Sequence, residues 1–190
     1  MAAKDVGKVE VRSASDLWAW LEAHHCQRES VWLVTWKAAF PELYVSRDEV
    51  LDALLAYGWI DGRRMKLDAD RTMQLIAPRS QEVWARSYRD RFARLEREGR
   101  VKPAGRAAFE RARQSGLLEA LEAVDALEEP DDLVAGLAAA GGLDWWRAAA
   151  PSYRRNILRW IATAKRPETR AKRIGIVADH AALARKVPQY

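Results

Sequence analysis

The chain has 190 residues, 49% of them hydrophobic, with 32 basic and 27 acidic side chains, a formal net charge of +5 and one cysteine. That length fits one domain, or one domain with a helical extension, and the dispersed apolar residues exclude a transmembrane helix. The lone Cys26 excludes an intramolecular disulfide and fits a reducing compartment, with the cytoplasm as the default.

The opening MAAKDVGKVEVRS has no apolar stretch of the kind a secretory signal needs. VEVR (9–12) reads as a short edge strand. Ser13 with Asp16 three residues on resembles a capping box, and the helix after it places Leu17, Trp20 and Leu21 on one face. SVWLVTWKA (30–38) is β-branched and aromatic and reads as a strand, with Trp32 and Trp36 on the same side. Ser46 and Glu49 form a second capping box for a helix through Val50, Leu51, Leu54 and Leu55, which Gly58 can stop in the left-handed conformation.

WIDGRRMKL and RTMQLIA flank DAD and predict a hairpin over 59–77. In a regular strand, Trp59, Asp61, Arg63, Met65 and Leu67 share one face. The Trp/Met/Leu face belongs to the core, so Asp61 and Arg63 point inward. A buried carboxylate is costly unless paired, so Asp61 requires a partner, and Arg79 or Arg63 is expected to supply it. Gly62 can mark a bulge that breaks the alternation.

After PRS (78–80), Ser80 is expected to cap a helix over 81–98, with Trp84, Tyr88, Phe92 and Leu95 inward and i,i+4 ion pairs outward. Pro103 suits the start of a helix to about Gln114. Residues 117–129 read as an acidic helix, and a short helix follows Pro130 and stops at Gly141 and Gly142. PSYRRNILRWIATAK, expected to be capped by Ser152, turns Tyr153, Ile157, Trp160, Ile161 and Ala164 inward. A last helix from Pro167 turns in Ile174, Val177 and Ala181. The pattern gives an α+β protein, mostly helical, with a small antiparallel sheet of about 3–4 strands in 1–127 and a helical segment in 128–190 packed on it.

Charge is segregated: residues 114–146 hold 8 acids and no Lys or Arg, while 147–186 hold 11 basic and 2 acidic residues. Mutual neutralisation within the fold is the favoured reading. The alternative is a nucleic-acid surface made by Arg154, Arg155, Arg159, Lys165, Arg170 and Arg173, whose binding would weaken with salt. No RNP, zinc-finger or clear helix-turn-helix pattern supports it. HHCQ (24–27) offers too few ligands for zinc, no nucleotide-binding or hydrolase motif occurs, and no metal or cofactor is expected. Of the 9 tryptophans, Trp20, Trp84 and Trp160 have core spacing, while Trp145 and Trp146, being adjacent, cannot both face one core.

DLWAWLEAHH, VWLVTWK, YGWIDG, PRS with Trp84, LEREGRVKPAG, EEPDDLVAGL and PSYRRNILRWIATAKRPETRAKRI, in this order over about 13–180, resemble the YdeI/OmpD-associated family, also called bacteriocin-protection proteins. The resemblance implies a small cytoplasmic bacterial protein of α+β type linked to bacteriocin or similar stress, with no established reaction. The chain departs from the family pattern after the PR element, where Ala85 and Tyr88 stand in place of Ser and Asn. A Trp that often follows GR after the next helix is also missing.

The residues favour a non-enzymatic binding module with its site at the sheet end, made by Trp59, Asp61, Arg63 and Arg79 with Trp36 and Lys37 nearby. An Asp61-anchored arginine fork would face an anionic or planar ligand, and this requires a cleft beside Asp61 and Arg79. A buried Asp61–Arg79 ion pair without a ligand is the competing structural reading. An enzyme using Asp61 as acid or base is a further alternative.

Overall fold

A computed structural model describes residues 6–80 and 83–188. They form two compact units that divide at 112/113, upstream of the boundary expected at 127/128.

In the first unit, β1 (Lys8–Glu10), α1 (Ala14–His24) and β2 (Val31–Trp36) are followed by α2 (Arg47–Ala56) and the hairpin β3 (Trp59–Lys66) and β4 (Arg71–Pro78). Helices α3 (Arg86–Arg97) and α4 (Pro103–Gln114) come next, and α4 runs across the division. The sheet order is β1-β2-β4-β3. The β1–α1–β2 crossover makes the first pair parallel, and the other pairs are antiparallel. The sheet is therefore mixed where an antiparallel one was expected.

Ser13 accepts from the Asp16 amide, but Asp16 reaches back to the Arg12 amide. Ser46 and Glu49 complete a full capping box. Gly58 stops α2 at φ +73°. Leu17 and Leu21 of α1, Val50, Ala53 and Leu54 of α2, and Leu33, Trp59 and Ile76 of the sheet form the first core. Gly105 brings α4 against the end of α2 so closely that a Cβ there would lie 2.2 Å from the Ala56 carbonyl oxygen.

The register of β3 on β4 shifts between Asp61 and Arg64: Asp61 pairs with Ile76 and Arg64 with Gln74. Gly62 and Arg63 thus stand opposite a single residue, Leu75, which is the bulge Gly62 suggested. A bulge reverses the alternation beyond it. Asp61 stays on the face of Trp59, Gln74 and Ile76, while Arg63 leaves that face and stacks over Trp32, 5.2 Å from its ring centre.

The helix expected from 81 begins at Arg86, with Ala85 as an N-cap that makes no side-chain hydrogen bond. The Glu82 part of the expected ion-pair series lies outside the described residues. Of the rest, Arg86–Asp90 is present at 3.8 Å, and Arg94 turns to Asp52 and Glu98. Trp84, just before the helix, is fully buried and edge-on to Phe92 and Phe109, which stack on each other at 4.2 Å. Asp52 of α2, 7% exposed, receives Arg91 and Arg94 of α3 and Arg100 beyond it.

The second unit is helical throughout its described elements: α5 (Leu117–Asp125), α6 (Asp131–Ala139), α7 (Leu143–Ala148), α8 (Pro151–Ala162) and α9 (Pro167–Ala182). The short α7 is the element the sequence reading left out. It buries Trp146 in the core and leaves Trp145 half-buried against Tyr153. Helix α8 is started by Pro151 after Ala150, so Ser152 lies inside it and is not its cap. Tyr153, Ile157 and Ile161 meet Ile174, Val177 and Ala181 in the core, as the helical spacing required. No helix among the described residues is long and apolar enough to cross a membrane.

Candidate functional site

The end of the sheet where β3 begins and β4 stops holds Trp59, Asp61, Gln74 and Arg79. Trp59 pairs with Pro78 and is 1% exposed. Its indole N–H donates to the His25 carbonyl at 3.3 Å, so Trp59 is a core anchor and presents no free polar group.

Asp61 is half-buried, and both of its carboxylate oxygens are engaged. The Tyr88 hydroxyl donates to Oδ1 through a short hydrogen bond, and Gln74 Nε2 donates to Oδ2 at 3.2 Å. Gln74 also reaches the Gly62 carbonyl at 3.4 Å. The expected ion pair with Arg79 or Arg63 does not form: no cation among the described residues lies within ion-pair distance of Asp61. The bulge carries Arg63 to the other face, and the Tyr88 hydroxyl occupies the oxygen that an arginine would have taken. Burial, then the Asp61 hydrogen bond, pushes the Tyr88 phenol up to about 12. Tyr88 therefore remains a donor at neutral pH.

Arg79 is 5% exposed. Its amide donates to the Gly58 carbonyl, tying the end of β4 to the end of α2. The guanidinium lies 4.0 Å from the Trp84 ring centre and 5.2 Å from that of Tyr88. One nitrogen, Nη2, donates to the Val83 carbonyl at 2.7 Å. The other two, Nε and Nη1, are buried and have no acceptor among the described residues, and the same is true of Trp84 Nε1. Burial pulls the guanidinium down to about 10, against the attraction of Tyr88 and Asp61, so Arg79 stays charged at neutral pH. An enclosed cation facing two aromatic rings, with no carboxylate bonded to it among the described residues, is costly to maintain.

Tyr88 also lines an open cleft of about 300 Å³ together with Arg47, Asp48, Leu51, Ser87 and Arg91. Tyr88 is thus shared between the cleft and the Asp61–Arg79 cluster, but neither Asp61 nor Arg79 lines this cleft, so it is not the cleft expected beside those two residues. Its position on the inward face of α3 was legible from the spacing, but its bond to Asp61 depends on where that helix begins. Gln74 and Trp84 were likewise not read as site residues, since nothing local in the sequence ties them to Asp61 or Arg79.

Trp36 and Lys37 are elsewhere. Trp36 pairs with Arg71 and Val31 with Ile76, so Trp36 stands five strand positions from the level of Asp61, about 17 Å at 3.3–3.4 Å per residue. Its indole donates to Glu10 at 3.2 Å with Arg71 over the ring, and Lys37 Nζ donates to the Asp68 and Ala69 carbonyls of the hairpin turn.

In the second unit the acidic and basic blocks pair with each other. Glu129 collects Trp146 Nε1, Arg147 and Arg154. Arg159 reaches Asp125, and Arg170 grips Asp132 with two hydrogen bonds of 2.7 and 2.8 Å. Arg173 lies over the Trp160 ring and donates to the Trp160 carbonyl. Arg155 and Lys165 have no ion pair among the described residues. Two histidines of the HHCQ run use Nδ1 on backbone carbonyls one turn back. Among the described residues, no group of three or more His, Cys, Asp or Glu is placed to hold a metal ion.

Fold and site together define an α+β unit with a buried arginine at its sheet end, two of whose guanidinium nitrogens lack acceptors among the described residues, in one chain with a helical unit. A family model described as a domain of unknown function (DUF8412) matches residues 9–108, and a second, described as Bacteriocin-protection, YdeI or OmpD-Associated (OmdA), matches residues 126–183. The chain belongs to the DUF8412 family, whose model spans more than half of it. The resemblance to the YdeI/OmpD-associated proteins holds over the C-terminal segment, and the motifs before it fall within the other model. Neither a search of curated proteins nor one of solved structures returned a match.

Proposed function

We propose that the first unit is a non-enzymatic binding module that takes a small anionic or planar ligand at its sheet end. Asp61, Tyr88 and Gln74 form the rack, and Arg79 is the recognising group. The observation that carries this reading is the 5%-exposed Arg79, with two guanidinium nitrogens lacking acceptors among the described residues. Burying such a group without using it costs stability, and clustered unmet donors of this kind mark binding sites. Asp61 serves as a positioning group, because both of its oxygens already accept hydrogen bonds. We place the protein in the cytoplasm as a stress-associated protein, with bacteriocin protection the setting that the name of the OmdA family suggests.

The test is an NMR titration of the ¹⁵N-labelled full chain with a panel of small carboxylates, phosphates and neutral heteroaromatics. Shifts concentrated at Arg79, Trp84, Tyr88 and Gln74 are expected for at least one compound. Silence across the panel, or shifts confined to the second unit, would overturn the reading.

A further inference from the structure

The unmet polar atoms around Arg79 are all of one kind. Arg79 Nε, Arg79 Nη1 and Trp84 Nε1 are donors, each buried and without an acceptor among the described residues. The acceptors described around them are bonded elsewhere or to the third nitrogen: Asp61 accepts from Tyr88 and Gln74, and the Val83 carbonyl accepts from Arg79 Nη2. A neutral planar ligand stacking on these rings would leave the donors as they are. A ligand that brings acceptors would satisfy them.

The shape of the guanidinium narrows the class. It carries five N–H donors in a flat fork. Nη2 has two hydrogens, one directed along the edge shared with Nε and one along the edge shared with Nη1. It gives one of them to Val83. Whichever one that is, the other completes a two-donor edge with either Nε or Nη1. One bidentate edge of Arg79 therefore has no acceptor among the described residues, although its nitrogens are enclosed. Such an edge matches two oxygens of one carboxylate or phosphate group. Trp84 lies against the guanidinium at 4.0 Å and adds a further N–H donor with no acceptor.

We infer that Arg79 and Trp84 form an oxyanion site, in which that guanidinium edge holds two oxygens of a carboxylate or phosphate group and the Trp84 indole N–H donates to the same group. This rests on the binding-module reading and names the chemistry of its ligand. Both Asp61 oxygens already accept hydrogen bonds, from Gln74 and Tyr88, so Asp61 acts as a positioning group and is not itself bonded to the fork. The Trp84 and Tyr88 rings lie against the guanidinium, and charge-assisted hydrogen bonds are strengthened in such an enclosed place.

Isothermal titration calorimetry of the full chain with inorganic phosphate and, separately, acetate, at constant ionic strength set with chloride, tests the inference. Saturable binding of one or both is expected, and which of the two binds identifies the source of the oxyanion. Arg79→Lys keeps the charge but loses the edge, and should weaken binding roughly ten- to a hundredfold, as expected for a charge-assisted hydrogen bond. Trp84→Phe keeps the ring and loses the donor, and should weaken it several-fold. If Arg79→Lys fails to fold, Trp84→Phe carries the comparison. The inference is overturned if neither anion binds, or if the folded variants bind as tightly as the parent. A neutral heteroaromatic that shifts Arg79 and Trp84 while both anions stay silent would sink the oxyanion and leave the binding-module reading standing. Silence from every compound would remove both.

Discussion

The hydrogen bond between Tyr88 and Asp61 is the joint that fixes α3 against the hairpin at the site, and a double-mutant cycle measures it. Tyr88→Phe removes only the hydroxyl. It leaves a half-buried carboxylate with Gln74 as its sole donor at 3.2 Å. A hydrogen bond to a charged group contributes about 1.5–3 kcal/mol, and half-burial places this one near the low end, at about 1.5 kcal/mol. For a unit of this size that corresponds to a loss of roughly 6–12 °C in unfolding midpoint. Asp61→Asn keeps an acceptor but removes the charge, so it should cost less than Tyr88→Phe. The pair should couple by about 1 kcal/mol, well above the ~0.3–0.5 kcal/mol scatter of independent sites.

The pH dependence gives a second check on the same bond. The phenol is raised in the folded state, to about 12. Its contribution is therefore complete below the unfolded value near 10 and is lost as pH rises through about 12. The gap between parent and Tyr88→Phe should stay constant from pH 6 to 9 and close above pH 10. Denaturant melts followed by circular dichroism across that range supply the numbers. Additive single mutants, or a gap that closes below pH 8, would refute the reasoning.

Three further outcomes follow from the same geometry. Asp52→Asn should cost about 1–3 kcal/mol at neutral pH, because Arg91, Arg94 and Arg100 lose a shared charged acceptor but keep Asp48 or Glu98. Burial works to raise the Asp52 carboxyl, but hydrogen bonds from Arg94 and Arg91 outweigh it and hold the group below the ordinary value. The effect should therefore persist above pH 4 and fade on acidification below it, as equilibrium melts would record. Gly105→Ala should destabilise by several kcal/mol, since its Cβ would meet the Ala56 oxygen at 2.2 Å and the Leu55 oxygen at 2.7 Å, both backbone atoms; calorimetry would show it. Glu129→Gln should loosen α7 on α8 by roughly 1–3 kcal/mol, read as faster amide exchange at Trp146, whose indole Glu129 accepts at 2.9 Å.

Local signals carried most of the fold. The second capping box, the Gly58 stop and the hairpin turn are short-range chemistry, and all three stand where the residues place them. The helices of the second unit follow their apolar spacing, apart from α7, whose six residues are too few to show a period. The start of α3 was not legible. Ser80 is a good cap by residue type, but Trp84 is buried with Phe92 and Phe109 ahead of the helix, a tertiary contact that propensity does not encode. The site was half legible. Alternation correctly demanded a partner for Asp61, and Gly62 correctly suggested the bulge. The partner was misread because the bulge moves Arg63 away, while Tyr88, 27 residues on, arrives only through packing. Trp36 and Lys37 are distant because antiparallel pairing sends the end of β2 to the hairpin turn.

Whether Arg79 is kept buried for an external acceptor or for the fold is decided by the unfolding free energy of Arg79→Met, measured without added anions. If the guanidinium has no carboxylate bonded to it within the fold, an apolar side chain of similar length should leave stability unchanged or raise it by about 1 kcal/mol or more. A loss of about 3–5 kcal/mol, the size expected when an internally compensated buried charge is broken, would contradict the external-acceptor reading and make Arg79 a structural residue.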